Sequence, residues 1–264
     1  MFRIIILLSI CILMSACTAA KAVMAMNKST GHFTALENDK RVLYEAGADE
    51  FAVSVSDHLV AAIHAVEQRQ YRTFSKPVVV HVCHTLESFT DYCVNSRAAG
   101  CVLNERLFLA PKAKKRTYAI LTHELSHLHM EQQLGMVNWH SGYPSWFQEG
   151  LAVYVSNGGG AEKVTPDEAR KSIADGLSFI PNSSSSLIVK KTASSYGLKP
   201  HMFYRQASLF IEHLHNLGEM KFRRFLLAVE DGKSFEEALN ATYDQSINMI
   251  WHNFVQQQLP GSPS

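Results

Sequence analysis

The chain has 264 residues, of which 47% are hydrophobic, and this is enough material for one sizeable core. Charged residues make up 19% and the formal net charge is +1, so the chain lacks the strongly basic or acidic balance of proteins that bind nucleic acid or stay disordered. We therefore expect a folded protein that has no nucleic-acid partner.

The N-terminus has the pattern of an export signal. Arg3 is followed by an apolar run over residues 4–13, which is too short to span a membrane and is typical of a secretory signal peptide. The sequence Met14-Ser15-Ala16-Cys17 is similar to the bacterial lipobox, in which the signal is cut before a cysteine that becomes lipidated. The alternative is a cleavage near Ala20 that discards Cys17.

We therefore expect a signal peptide over residues 1–16, and a lipidated Cys17 followed by a tether through residue 36. The protein would be exported to the bacterial cell envelope, face the periplasm and meet the membrane through its lipid. Three further cysteines would then remain, at positions 83, 93 and 101. An exported compartment permits disulfides, and Cys93 with Cys101 is the short-loop candidate. Three buried thiols are equally consistent with the sequence.

The first half of the remaining chain mixes helices and strands. In chain order the patterns predict a helix, a strand, a short helix, a strand, a basic connection and a helix, over residues 41–70, 78–82, 85–93, 101–110, 111–116 and 117–133. Further helices are predicted over residues 143–155, from Thr165 onward, and over 202–217, 220–230, 234–243 and 247–258. This order favours one α+β domain over residues 37–258, followed by a tail over residues 259–264.

The predicted helix over residues 117–133 contains an HExxH motif. His123 and His127 are four residues apart and so share one face of the helix, where both imidazoles can reach one ion. Neutral imidazole suits Zn²⁺, and Glu124, one residue past the first histidine, is placed to act as a general base. The alternative is a buried helix in which two histidines occur by chance.

A catalytic zinc site needs a third protein ligand. The extended pattern HExxHxxGxxH is excluded by Met130 and Gln133, which leaves His140 and Glu149 as candidates. Glu149 is the only acidic residue in an otherwise apolar helix, where an unpaired charge would be costly. We favour Glu149 as the third ligand of one zinc ion and keep His140 as the alternative.

The motif and the segment Pro144-Ser145-Trp146-Phe147-Gln148-Glu149-Gly150-Leu151-Ala152 together resemble the gluzincin metallopeptidases, especially the bacterial peptidase MA-like group. The resemblance extends from the strand near Val78 to about Trp251. It implies a zincin-like α+β fold, in which a small mixed sheet packs on the HExxH helix and a mostly helical part follows. It also implies zinc-dependent hydrolysis of peptide bonds, with Tyr204 as a donor to the tetrahedral oxyanion.

One position departs from the family pattern. Thermolysin-like gluzincins carry an acid four residues past the glutamate ligand, where it orients a metal-bound histidine, and this chain has Val153 there. A metal-bound imidazole usually donates its second nitrogen to a partner, so another group must orient His123 or His127. The sequence does not name that group.

The expected function is therefore an exported, lipid-anchored zinc peptidase that acts on a peptide or protein substrate. The strand over residues 101–110 is the expected edge for an extended peptide, as in β-augmentation. Two alternatives remain, a lipoprotein binding or assembly module without turnover and a protease for a single partner protein. The presence of Glu124 favours an enzyme, because a binding module needs no general base.

Overall fold

The structure, a computed structural model, describes residues 21, 23–183 and 191–259. The predicted signal peptide and the predicted lipidation site at Cys17 lie outside these residues. Within the described part of the chain, no helix combines the length and the apolar character needed to cross a bilayer. The chain divides into two units, one built from residues up to Asp57 with Val78–Lys115, and the other from His58–Pro77 with Arg116–Ser264.

The first unit contains a five-stranded mixed sheet. Its strands are β1 (Thr34–Ala35), β2 (Val42–Tyr44), β3 (Val80–Val82), β4 (Gly100–Leu103) and β5 (Arg106–Leu109), in the order β1-β2-β3-β5-β4. The inner pairs, β2 with β3 and β3 with β5, are parallel, and the outer pairs, β1 with β2 and β4 with β5, are antiparallel. In this register Val80 lies opposite Val42 on one side and Leu107 on the other. Helices accompany the sheet, and this confirms the α+β prediction.

Aromatic and cysteine side chains form a core in the first unit. Its buried members are Phe33, Cys83, Phe89, Tyr92, Cys93, Phe108 and Ala110. Cys93 and Cys101 form a disulfide with their Cα atoms 6.0 Å apart, so the short-loop pairing is the one found. Cys83 is a buried free cysteine.

One arginine binds the segment that precedes the sheet. The guanidinium of Arg106 donates to the carbonyl oxygens of Ala25, Met26 and Lys28 at 2.7, 2.7 and 2.9 Å. Tyr92 donates its hydroxyl to the carbonyl oxygen of Ser29 at 3.0 Å. The segment from Ala25 onward is therefore held in place by side chains of the first unit.

Two predicted elements of this region are wrong in their bounds. The predicted helix over residues 41–70 begins only at Asp49, as α1 (Asp49–Gln70), because residues 42–44 pair with β3 instead. The predicted strand over residues 101–110 is a hairpin, since Asn104 and Glu105 adopt positive φ angles of 55° and 57° and reverse the chain. Of the two hairpin strands, β4 lies at an edge of the sheet and β5 is an inner strand.

Helices dominate the rest of the chain. After the short helix α2 (Leu86–Tyr92) come α3 (Thr117–Leu134), α4 (Met136–Gly142), α5 (Ser145–Val155), α6 (Pro166–Ala174), α7 (Pro200–Asn216), α8 (Glu219–Glu230), α9 (Phe235–Tyr243) and α10 (Ile247–Gln256). The predicted connection over residues 111–116 is a 3-10 helix, and the short helix α4 lies between the two predicted helices over residues 117–133 and 143–155. The helix start at Thr165 is confirmed, with Thr165 and Glu168 forming a reciprocal capping box.

The core of the second unit is aromatic and centres on the start of α5. Trp146 and Phe147 are both buried, and both lie against Phe235 of α9. Trp146 also contacts Phe179 and Phe210. This packing fixes the start of α5, the helix that carries Glu149.

Candidate metal centre

Helix α3 carries the two histidines through the interior of the second unit. Leu121, Leu125 and Leu128 are buried, and so are most other side chains of this helix. The helix ends at Gly135, whose φ of 77° suits glycine and whose amide donates to the carbonyl of Glu131 at 2.7 Å. The four-residue spacing places the rings of His123 and His127 on one face with centroids 4.9 Å apart, as the motif predicts.

Helix α5 brings a carboxylate to the same point. The start of the helix is fixed by Gln148, which donates its side-chain amide to the carbonyls of Trp139 and Tyr143 at 3.0 and 2.7 Å. Glu149 Oε2 then lies 3.6 Å from Nε2 of His123 and 3.8 Å from Nε2 of His127. The two Nε2 atoms are 3.3 Å apart, so the three atoms form a nearly equilateral triangle.

This triangle has the dimensions of a metal site. Bonds of about 2.0–2.1 Å at the tetrahedral angle would place ligand atoms about 3.3–3.4 Å apart, close to the three distances observed. His123 is buried, and His127 and Glu149 are partly buried. Two imidazole nitrogens and one carboxylate oxygen also make the mixed donor set that zinc accepts. The three side chains could therefore hold a metal ion.

Burial and charge oppose each other in this cluster. Burial alone would raise the pKa of Glu149, but hydrogen bonds to His123 and His127 and their charges hold it well below its ordinary value. Burial alone would lower the pKa of His123, but the hydrogen bond to Glu149, the two nearby carboxylates and the Gly159 carbonyl raise it. Glu149 is therefore ionised at neutral pH and presents a negative oxygen to both rings.

Glu124 lies beside the triangle but not in it. Its side chain is nearly buried, and burial is the main cause of a pKa raised above the ordinary value. The charge of Glu149 adds to this rise, and the charges of His123 and His127 oppose it. The charges of all three members of the triangle therefore act on the carboxyl group of Glu124.

Tyr204 reaches the same cluster from α7. The charge of Glu149 is the main cause of its raised pKa, and burial, the charge of Glu124 and a hydrogen bond to Glu149 add to it. The phenol therefore keeps its proton at neutral pH, beside the charges of Glu149 and Glu124. Helix packing explains the approach, because a Cβ added to Gly150 would lie 2.9 Å from the carbonyl carbon and oxygen of Ala207.

The alternative third ligand is engaged elsewhere. His140 lies on α4, and its Nε2 is 2.8 Å from Oε1 of the buried Glu131. The structure thus groups His123 and His127 with Glu149 and does not bring His140 into that group.

The sequence did not identify the partner of His123. Its Nδ1 lies 2.8 Å from the carbonyl oxygen of Gly159, in the glycine run that follows α5. A backbone carbonyl carries no side-chain signal, and no sequence pattern could have assigned this contact.

Neither protein-family models nor curated proteins give a match to this chain.

Proposed function

We propose that this chain is a zinc-dependent peptidase of the gluzincin type. The observation that carries the proposal is the triangle of His123, His127 and Glu149, with atoms 3.3–3.8 Å apart on two crossing helices. Two histidines and one glutamate are the ligand set of zinc peptidases that keep an open position for water and substrate. A zinc ion held there would lower the pKa of a bound water to about 7 and polarise the substrate carbonyl.

Glu124 is proposed as the group that moves protons. Its carboxylate is nearly buried beside the triangle and is not one of the three ligand groups. In peptide hydrolysis it would accept a proton from the attacking water and donate it to the leaving amine. Side-chain burial keeps bulk water from competing for that proton.

Tyr204 is proposed as a hydrogen-bond donor to the reaction. Its phenol is protonated and lies next to both Glu149 and Glu124. A donor held at this place can stabilise the oxyanion that forms when the carbonyl carbon becomes tetrahedral. In the reaction the phenol would donate a hydrogen bond to the substrate oxygen.

Export and lipid anchoring are part of the same proposal. The signal-like residues 1–16 and Cys17 support them from the sequence. The disulfide between Cys93 and Cys101 adds support, because such bonds persist mainly in oxidising compartments. We infer a peptidase of the cell envelope that acts on peptide or protein substrates.

Metal content and peptide cleavage test the proposal together. The purified full chain is dialysed with zinc, freed of excess ion and assayed for zinc, and is then incubated with a peptide library. We expect about one zinc per wild-type chain, loss of most of it in Glu149→Ala, and cleavage that Glu124→Gln abolishes while the zinc remains. His140→Ala is the matched control, and we expect it to keep its zinc because His140 lies outside the triangle.

Other outcomes separate the alternatives. A folded wild type that takes up no zinc would refute the proposal and favour a metal-free binding module. A wild type that binds zinc but cleaves no library peptide would favour a protease for a single partner protein. Zinc lost in His140→Ala and kept in Glu149→Ala would overturn the ligand assignment.

A further inference from the structure

The glycine run after α5 packs directly on the metal-binding face of α3. A Cβ added to Gly159 would lie 2.2 Å from the carbonyl oxygen of Ala119, and one added to Gly160 would lie 2.7 Å from Cε1 of His123. Gly158 and Gly160 also have positive φ angles of 105° and 84°. Only glycines therefore fit in this loop, which we call the glycine loop (residues 158–160).

The glycine loop is held from both of its ends. The amide of Gly158 donates to the carbonyl of Val153 at 2.9 Å, at the position where the related peptidases have an acidic side chain. At the other end the amide of Gly160 donates to Oε1 of Glu162 at 3.0 Å. The loop is thus fixed by a backbone carbonyl before it and by a carboxylate after it.

Glu162 lies between the guanidinium of Arg116 and the imidazole of His201. Its Oε2 lies 3.8 Å from Nη1 of Arg116 and 3.7 Å from Nδ1 of His201, and its side chain is only 15% exposed. Arg205 supports the same segment by donating to the carbonyls of Val164 and Ala161 at 2.9 and 3.3 Å. These contacts hold the segment that follows Gly159, whose carbonyl also accepts from Oγ of Ser156 at 3.3 Å.

We propose that Glu162, through the glycine loop, positions the metal ligand His123. The Gly159 carbonyl can only accept, so the 2.8 Å contact requires a proton on Nδ1 of His123 and turns Nε2 toward Glu149. Glu162 is a positioning residue, since it touches neither His123 nor the other ligands. The expected effect on zinc affinity rests on the proposed function, because it requires a metal ion at this site. The position of the proton on His123 can be measured without a metal ion.

The test has one arm without metal and one with zinc. The first records ring-nitrogen spectra of the metal-free full chain with ¹⁵N-labelled histidine over a series of pH values, to determine whether Nδ1 of His123 carries a proton. The second measures the zinc Kd by competition with a chelator. Partners that orient ligands typically change metal affinity by about 10- to 100-fold when they are removed, and we expect the low end for Glu162→Ala because it acts through the loop.

Two further variants separate positioning from general damage. Glu162→Gln keeps an oxygen that can accept from the Gly160 amide, so we expect a Kd within about threefold of wild type. Glu168→Ala also removes a carboxylate, one that belongs to the capping box of α6 and not to the contacts of the glycine loop. This variant should lower the stability of the fold and leave the zinc Kd unchanged.

The expected result is a proton on Nδ1 of His123 in the wild type, a mixture of tautomers in Glu162→Ala, and about a 10-fold weaker zinc Kd that glutamine restores. A wild type whose His123 carries no proton on Nδ1 would overturn the inference, whether or not the alanine variant folds. An equal loss of affinity in Glu162→Ala and Glu168→Ala would also overturn it. A wild type that binds no zinc but shows the expected tautomers would support the positioning and refute the proposed function.

Discussion

Replacing Glu230 with glutamine should make the folded protein more stable at neutral and alkaline pH. Glu230 ends α8, its side chain is fully buried, and neither carboxylate oxygen has a hydrogen bond among the described residues. Nε of Arg72 lies 3.2 Å from Oε2, and Nδ1 of His129 lies 3.9 Å from Oε1. Burial raises the pKa of Glu230 from 4.5 to about 8, although the charge of Arg72 opposes the rise.

The magnitude follows from this pKa difference. Above pH 4.5 the unfolded chain releases the proton of Glu230, while the folded protein keeps it until about pH 8. The folded state then binds more protons than the unfolded state, so stability falls as pH rises through this window. The loss amounts to about 3 kcal/mol at pH 7 and approaches about 5 kcal/mol above pH 8. Glutamine resembles the protonated form and does not incur this loss.

Urea unfolding of the metal-free protein at a series of pH values provides the assay. The stability gain of Glu230→Gln over wild type should be near zero at about pH 4 and should grow steadily to about pH 8. Asp231→Asn is the matched control, because Asp231 also binds Arg72 at 2.8 Å but is 60% exposed. A constant difference between wild type and Glu230→Gln across this range would refute the reasoning.

Three further changes test the packing and the site. In Gly150→Ala, helix propensity should add about 1 kcal/mol to the free energy of unfolding, and overpacking against Ala207 should remove about 1–3 kcal/mol. Urea unfolding should therefore show a net loss of about 1 kcal/mol, and increased stability would contradict the close approach of α5 and α7. The disulfide between Cys93 and Cys101 closes a short loop, with a sequence separation of 8. Its reduction should lower the free energy of unfolding in urea by about 2.5 kcal/mol, and an unchanged unfolding curve would contradict this prediction. Tyr204→Phe should reduce kcat for peptide cleavage by about 100-fold and leave the zinc content unchanged; a kcat near wild type would remove Tyr204 from the mechanism.

The helices were largely predictable because local signals mark them. Thr165 and Ser234 each start a helix with a reciprocal capping box, and the spacing of His123 and His127 follows from helix geometry alone. Glu149 could be identified as a neighbour of both histidines because it is the single charge in an apolar helix.

The errors arise where tertiary contacts override local patterns. Residues 42–44 continue the helical spacing of α1, yet they pair with β3, because three β-prone residues gain more from the sheet than from a helix. The turn at Asn104 and Glu105 contains no glycine, so the hairpin resembled a single strand. The contact from Gly159 to His123 depends on how a loop folds back onto α3, and no spacing in the sequence encodes it.

The hydrogen bonds from Arg106 to the carbonyls of Ala25, Met26 and Lys28 limit how far a lipid-anchored protein could lie from the membrane. If Cys17 carries a lipid, only eight peptide steps separate it from Ala25, and a fully extended chain covers at most about 28 Å over that length. The first unit would then stay within a layer of solvent next to the membrane that is about as thick as the hydrocarbon core of one bilayer. It would therefore encounter membrane-bound proteins more readily than freely diffusing ones. Spacer residues inserted next to Cys17 would widen that layer without altering the hydrogen bonds of Arg106 with Ala25, Met26 and Lys28.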